Sequence, residues 1–213
     1  MSQLDRSIID KTIELAKSQG VNELDVIVSS QESFSLKAEK GELAEYKKAN
    51  SHSIGVRVIV DSKVGTSFSE AIDEDSISKV IEYAKKNAKF GKINKFERIT
   101  AKGNDIVDIE PSSNIEYSPK PEEMIEKALF LESEVLKREE LATSSPYNGL
   151  SEGRVHILMG NSLGNRCEHK QKLYSCSTSA LLKKDNLASM HYDSDTKRDW
   201  RELNFSKCVD ESI

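Results

Sequence analysis

Ser53-Ile54-Gly55-Val56-Arg57-Val58-Ile59-Val60-Asp61-Ser62-Lys63-Val64-Gly65-Thr66-Ser67-Phe68-Ser69-Glu70 is the stretch on which the reading of the fold turns. Ile54, Val56, Val58 and Val60 alternate with Gly55, Arg57, Ile59 and Asp61, the period-two pattern of a strand with one buried face. Asp61-Ser62-Lys63 has turn chemistry, and Val64, Thr66 and Phe68 resume the alternation as a returning strand. A helical period follows at once between Asp73 and Lys89. Ile77, Val80, Ile81, Ala84 and Ala88 share one face, and Lys79, Glu82, Lys85 and Lys86 take the other.

Upstream, Leu4, Ile8, Ile9, Ile13, Leu15 and Ala16 predict an opening helix from about Ser2 to Ser18, stopped by Gly20. Leu24 to Ser30 and Phe34 to Ala38 read as strands, and Leu43 to Ala49 returns after the Glu39-Lys40-Gly41-Glu42 turn. The first third is thus expected to be a helix and a meander of about five strands. Lys92 to Tyr117 reads as a loop-rich connection with Pro111-Ser112-Ser113-Asn114 as breakers. A third helix enters at Ser118-Pro119-Lys120-Pro121, with Met124, Ala128, Leu131 and Val135 as its apolar stripe. After a loop at Ser144 to Gly149, strands return. Val155 to Met159 comes first, then Asn165 to Leu182 beyond the Gly160-Asn161-Ser162-Leu163-Gly164 turn, then Leu187 to Thr196. The expected class is α+β, a mostly antiparallel sheet with about three helices packed on it.

Composition excludes several classes of function. The chain has 213 residues, 37% hydrophobic and 31% charged, with a formal charge of −5. No apolar run approaches the ~18 residues that span a bilayer, and Met1 to Arg6 lacks the basic and apolar segments of a secretion signal. A cytoplasmic protein with no membrane association is expected. The acidic balance argues against nucleic acid, and the short basic pairs Lys85-Lys86, Lys183-Lys184 and Lys197-Arg198 read as solvated surface. Cys167, Cys176 and Cys208 form no CxxC pair and read as free thiols.

Catalytic chemistry finds no motif. His52, His156, His169 and His191 are far apart, and no HExxH or HExxxH occurs. Cys167 and His169 share a strand face, which is two ligands where zinc needs more. There is no GxSxG elbow and no P-loop. Asn161 to Gly164 is either an anion-orienting turn or an ordinary connection. The pairs Glu122-Glu123 and Glu139-Glu140 belong to helix surfaces.

Three segments together carry a resemblance. They are Gly55 to Val60 with Lys63 to Ser67 and the Ile77–Ala88 helix, then Gly160 to Gly164, then Tyr174 to Ala180 continuing to Tyr192-Asp193-Ser194. In this order they resemble the N-terminal half of the TldD/PmbA family, in its PmbA (TldE) branch, over nearly the whole chain. The resemblance implies a cytoplasmic heterodimer with a TldD-like subunit. That complex is a zinc metallopeptidase acting on unfolded peptides such as microcin precursors and antitoxins. Zinc is implied in the partner, through its HExxxH motif. No catalytic, metal or cofactor residue carries over to this chain, and its peptide-binding residues are not specified.

By this reading residues 1–206 form a PmbA/TldD-like N-terminal domain, and 207–213 start a truncated following segment. Lys207 to Ile213 reads as the first turns of a further helix, which implies a split gene or an excised domain. Candidate peptide surfaces are strand edges at Val56–Val60 and Asn165–Leu182, where an extended chain could add by main-chain bonding. The alternatives are a stand-alone interaction module or inactive gene fragment, and a modulator of DNA gyrase acting through protein contact.

Overall fold

The computed structural model of the chain describes residues 4–101 and 117–213. Its helices are α1 (Ser7–Ser18), α2 (Glu74–Ala88), α3 (Pro121–Arg138) and α4 (Phe205–Ser212), with a 3-10 turn at Trp200–Glu202. Its strands are β1 (Glu23–Glu39), β2 (Glu42–Val60), β3 (Lys63–Ser69), β4 (Ala142–Ser144), β5 (Gly149–Asn161), β6 (Arg166–Lys184) and β7 (Leu187–Lys197). Pairing runs β3-β2-β1-β5-β6-β4, with β7 on β6. The class is the expected α+β with an antiparallel sheet.

Two differences from the sequence reading have physical causes. The five strands expected before α2 are three, because β1 and β2 run unbroken through polar stretches. Polar side chains do not interrupt a main-chain ladder when they find partners: Ser29 and Ser53 meet hydroxyl to hydroxyl at 2.8 Å. The opening helix begins at Ser7 rather than near Ser2, where Asp5 accepts from the Ser7 amide at 2.9 Å. Of the loop-rich connection, residues 92–101 carry no helix or strand. The rest, with the breakers at 111–114, lies outside the described residues.

The chain divides into two compact units. Unit 1 comprises Met1–Gln31, Asn50–Pro111 and Val155–Lys170. Its core joins Ile9, Ile13 and Ala16 of α1 and Ile77, Val80, Ile81, Ala84 and Ala88 of α2 to the alternate strand residues Leu24, Val26, Val28, Ile54, Val56, Val58 and Leu158. Asp73 caps α2 by accepting from the Ser76 amide at 3.0 Å. The β2–β3 turn places Asp61 and Ser62 at φ 51° and 58°, which matches the twist of the paired strands. Gly65 of β3 lies against the α2 backbone. A Cβ there would fall inside contact distance of the Ala84 carbonyl and the Ala88 amide, and only 2.9 Å from Ala88 Cα.

Unit 2 comprises Glu32–Ala49, Ser112–Arg154 and Gln171–Ile213. Met124, Ala128, Leu131 and Val135 of α3 pack with Leu36, Ala38, Leu150, Tyr174, Cys176 and Ala180 of the strands, and with Trp200, Leu203, Cys208 and Val209. The carboxylate of Glu132, 3% exposed, enters this core with a defined task. It accepts from the amides of Lys40 and Gly41 at 2.7 and 2.9 Å, closing the β1–β2 turn, where both residues have positive φ. A buried carboxylate is tolerated when such bonds replace its water. Glu123 likewise accepts from Trp200 Nε1 at 2.6 Å and from the Tyr117 hydroxyl at 2.7 Å.

In unit 1, His156 and Glu168 tie strands to the chain start. The Leu4 amide donates to His156 Nδ1 at 3.3 Å, so the ring is the neutral tautomer whose Nε2–H donates to Glu168 at 2.8 Å. Lys170 pairs with Glu168 at 2.9 Å, and Arg6 also bonds it. Burial pushes the Glu168 carboxyl up, but bonds from Lys170, Arg6 and His156 outweigh it and hold the group at about 2.

Two outcomes follow from these contacts. Gly65→Ala should destabilise the protein by at least about 2 kcal/mol in chemical denaturation, because no flexible side chain can yield to the methyl; a cost under about 0.5 kcal/mol would contradict the close approach. Glu168 is depressed in the folded state, so its contribution is present above the unfolded value of 4.5 and fades as pH falls toward about 2. Glu168→Gln should therefore cost about 1–2 kcal/mol at pH 7 after solvent screening. It should also flatten the stability profile between about pH 5 and pH 2. A variant with an unchanged acid limb would show that the cluster contributes nothing.

Candidate functional site

Alternation in the strands of unit 1 sends every second residue away from the α1/α2 core. Asp25 and Ile27 of β1 and Gly55 and Arg57 of β2 do so. Register carries the pattern to β3, where Gly55 stands opposite Phe68 and Arg57 opposite Thr66. Met159 and Asn161 of β5, Asn165 and Cys167 complete the lining of a groove of about 880 Å³, with Asn87 and Thr100 at its margin. All of its lining residues belong to unit 1.

The groove is apolar with polar fixtures. Ile27, Met159 and Phe68 are 42%, 49% and 77% exposed, so three large apolar side chains face solvent in one concavity. Gly55 keeps the floor low, since a Cβ there would stand 3.3 Å from Ile27 Cγ2. Arg57 brings no free charge: its Nε donates to Asp25 at 2.8 Å and its Nη1 to Glu97 at 3.5 Å. Asn161 and Asn165 each donate an amide N–H to the Thr100 carbonyl, at 2.8 and 2.7 Å. The Asn165 Oδ1 is buried and has no hydrogen-bond partner among the described residues. Asn87 donates to the Thr66 carbonyl at 2.9 Å and so covers part of the β3 edge. Concave, mainly apolar and sparsely polar is the character of a binding site.

The sequence-predicted residues are dispersed. His156 is buried with both ring nitrogens bonded, and His169, His191 and Cys167 are exposed. Among the described residues no three His, Cys, Asp or Glu side chains converge on a common point, so they offer zinc no site. The turn after β5 is not an anion cradle. Its Leu163 and Asn165 amides donate to Asn161 Oδ1 at 3.0 and 3.1 Å, and the Ser162 and Gly164 amides donate to the carbonyls of Leu24 and Asn161 at 2.9 and 3.2 Å. Of the basic pairs, Lys86 holds Glu82 at 2.5 Å and Lys197 holds Asp195 at 3.1 Å.

The expected strand edges are also corrected. Val56–Val60 pairs residue for residue with β3 on one side, and β1 lies on the other. In β6, Tyr174–Lys184 pairs with β7 in full register. The stretches Val56–Val60 and Tyr174–Leu182 are thus interior to the ladder and offer no free edge. Val56, Arg57, Asn165 and Cys167 contribute instead to the wall and floor of the groove. Nothing local in the sequence marks it, since its lining comes from six separated stretches brought together only in the fold.

Two models of one family match the chain: PmbA/TldA metallopeptidase domain 1 over residues 24–88, and the PmbA/TldA metallopeptidase central domain over residues 114–213. No curated protein matches. Solved structures share the fold. A Thermotoga maritima protein described as a candidate modulator of a DNA gyrase aligns at TM-score 0.78 and 20% identity, over 97% of this chain and 46% of its own. TldE from Thermococcus kodakarensis aligns at 0.78 and 16%, over 96% and 46%. A second candidate gyrase modulator, from Bacteroides thetaiotaomicron, aligns at 0.83 and 15%, over 97% and 48%. The chain thus spans just under half the length of these relatives. Together the two family models cover more than half of the sequence, and the chain belongs to the PmbA/TldD family.

Proposed function

We propose that this chain is the peptide-holding, non-catalytic part of a PmbA/TldE-like subunit. Its partner is a TldD-like subunit in a cytoplasmic heterodimer that processes unfolded peptides of the microcin-precursor or antitoxin kind. The observation that carries the reading is the unit 1 groove. Ile27, Phe68 and Met159 offer apolar contact to peptide side chains. Such fixtures recognise an extended chain with little regard to its sequence, which suits unfolded substrates. In this reading the zinc belongs to the partner, where it would polarise the scissile carbonyl and activate water.

The test is reconstitution. The protein should co-purify with a TldD-like HExxxH protein, and the pair should cleave an unfolded peptide in a zinc-dependent way that neither chain manages alone. Met159→Asp and Phe68→Ser change exposed side chains, so folding should hold while kcat/KM for the peptide falls about tenfold, as loss of one apolar contact predicts. Cleavage indifferent to both substitutions would remove the groove from the reaction. Salt-sensitive retention on DNA without any partner would favour the gyrase reading.

A further inference from the structure

Two of the three cysteines meet in the core of unit 2, although they stand 32 positions apart. Cys176 lies mid-strand in β6 and Cys208 in α4, both fully buried, with Sγ to Sγ at 3.4 Å. A disulfide bond is about 2.05 Å long, so closure needs only a small approach of α4 toward β6. No part of the proposed peptide-holding role uses either thiol. Buried thiols are ordinarily inert, so reaction at this pair requires local opening.

We propose that Cys176 and Cys208 form a thiol pair that a hydroperoxide converts, reversibly, to a disulfide fastening α4 to β6. The two sulfurs are unequal. The sulfur–sulfur hydrogen bond, in which either atom can donate, and the Asp195 backbone amide hold the Cys176 pKa down against the opposing effect of burial. Cys208 is pushed up by the same bond and by burial. Cys176 is therefore the attacking thiolate. Its sulfur takes one peroxide oxygen, the O–O bond breaks, and the departing hydroxide combines with the thiol proton as water. Cys176 is now a sulfenic acid. Cys208 then attacks Cys176 Sγ, the S–O bond breaks, and the hydroxyl leaves as water with the Cys208 proton. Two thiols are oxidised and one peroxide is reduced to two waters.

Access comes through α4. Its polar ties are the Asn204 cap on the Lys207 amide at 3.0 Å, the Asn204 amide to Asp195 at 3.0 Å, and the surface pair Arg138–Asp210 at 2.6 Å. An exposed pair of that kind contributes little, so local opening of α4 exposes both thiols at modest cost. Cys167 is the exposed competitor, and it lies in the other unit.

The experiment uses Cys167→Ser protein treated with hydrogen peroxide, then unfolded, alkylated and mapped by non-reducing peptide mass spectrometry. The expected product is a cross-linked peptide joining 176 to 208, lighter by two hydrogen atoms, refractory to alkylation and released by dithiothreitol. Closing that loop should raise Tm by on the order of 5–10 °C. Adding Cys208→Ser should turn the product into an oxygenated Cys176. If Cys167→Ser impairs folding, the same cross-link is sought in the unmodified protein. Recovery of both thiols free after treatment, or as separate sulfinic acids or intermolecular dimers, overturns the proposal.

Discussion

The contact of β3 with the α2 backbone at Gly65 is the constraint on which unit 1 depends. Without a side chain there, strand and helix approach at backbone distance, and the register opposite Val58 is held. Ile77, Val80, Ile81 and Ala84 then cover the alternate residues of β1 and β2 on one face. Each such burial contributes about 1.5–3 kcal/mol, offset by the conformational entropy of ordering the chain. The groove lies among the residues that alternate away from that core, Asp25, Ile27, Gly55 and Arg57.

Each unit contains a carboxylate matched to named donors. Glu132 spends its carboxylate on two turn amides, and Glu168 collects donors from Lys170, Arg6 and His156. A perturbed carboxyl often marks a catalytic centre. Here its partners are the groups that hold β5, β6 and the chain start together in unit 1, which makes the perturbation structural. Glu132 left a trace in the sequence, because it falls beside Leu131 on the apolar stripe of α3, where a charged residue is out of place.

The parts legible in advance were those encoded locally. The Ile54–Val60 alternation, the Asp61-Ser62 turn and the helical period of Ile77–Ala88 each depend on neighbours a few residues away, and the chain forms them. The lengths of β1 and β2 were hidden because Ser29 and Ser53 look like breaks until their hydroxyls meet across the strands. The groove was hidden for a deeper reason. Asp25, Arg57, Phe68, Met159 and Asn165 become neighbours only through pairing, and no spacing within one segment announces them. Interior placement of Val56–Val60 and Tyr174–Lys184 follows from the same pairing.

Hydrogen exchange read residue by residue tests the peptide-holding groove most directly. The protein alone is compared with the protein plus a saturating unfolded peptide, with no partner and no metal present. The account predicts slowed exchange at the amides of 25–27, 55–57, 66–68 and 159–161, with the strands of unit 2 unchanged. Protection confined to unit 2, or none at peptide concentrations that support cleavage by the complex, would contradict it.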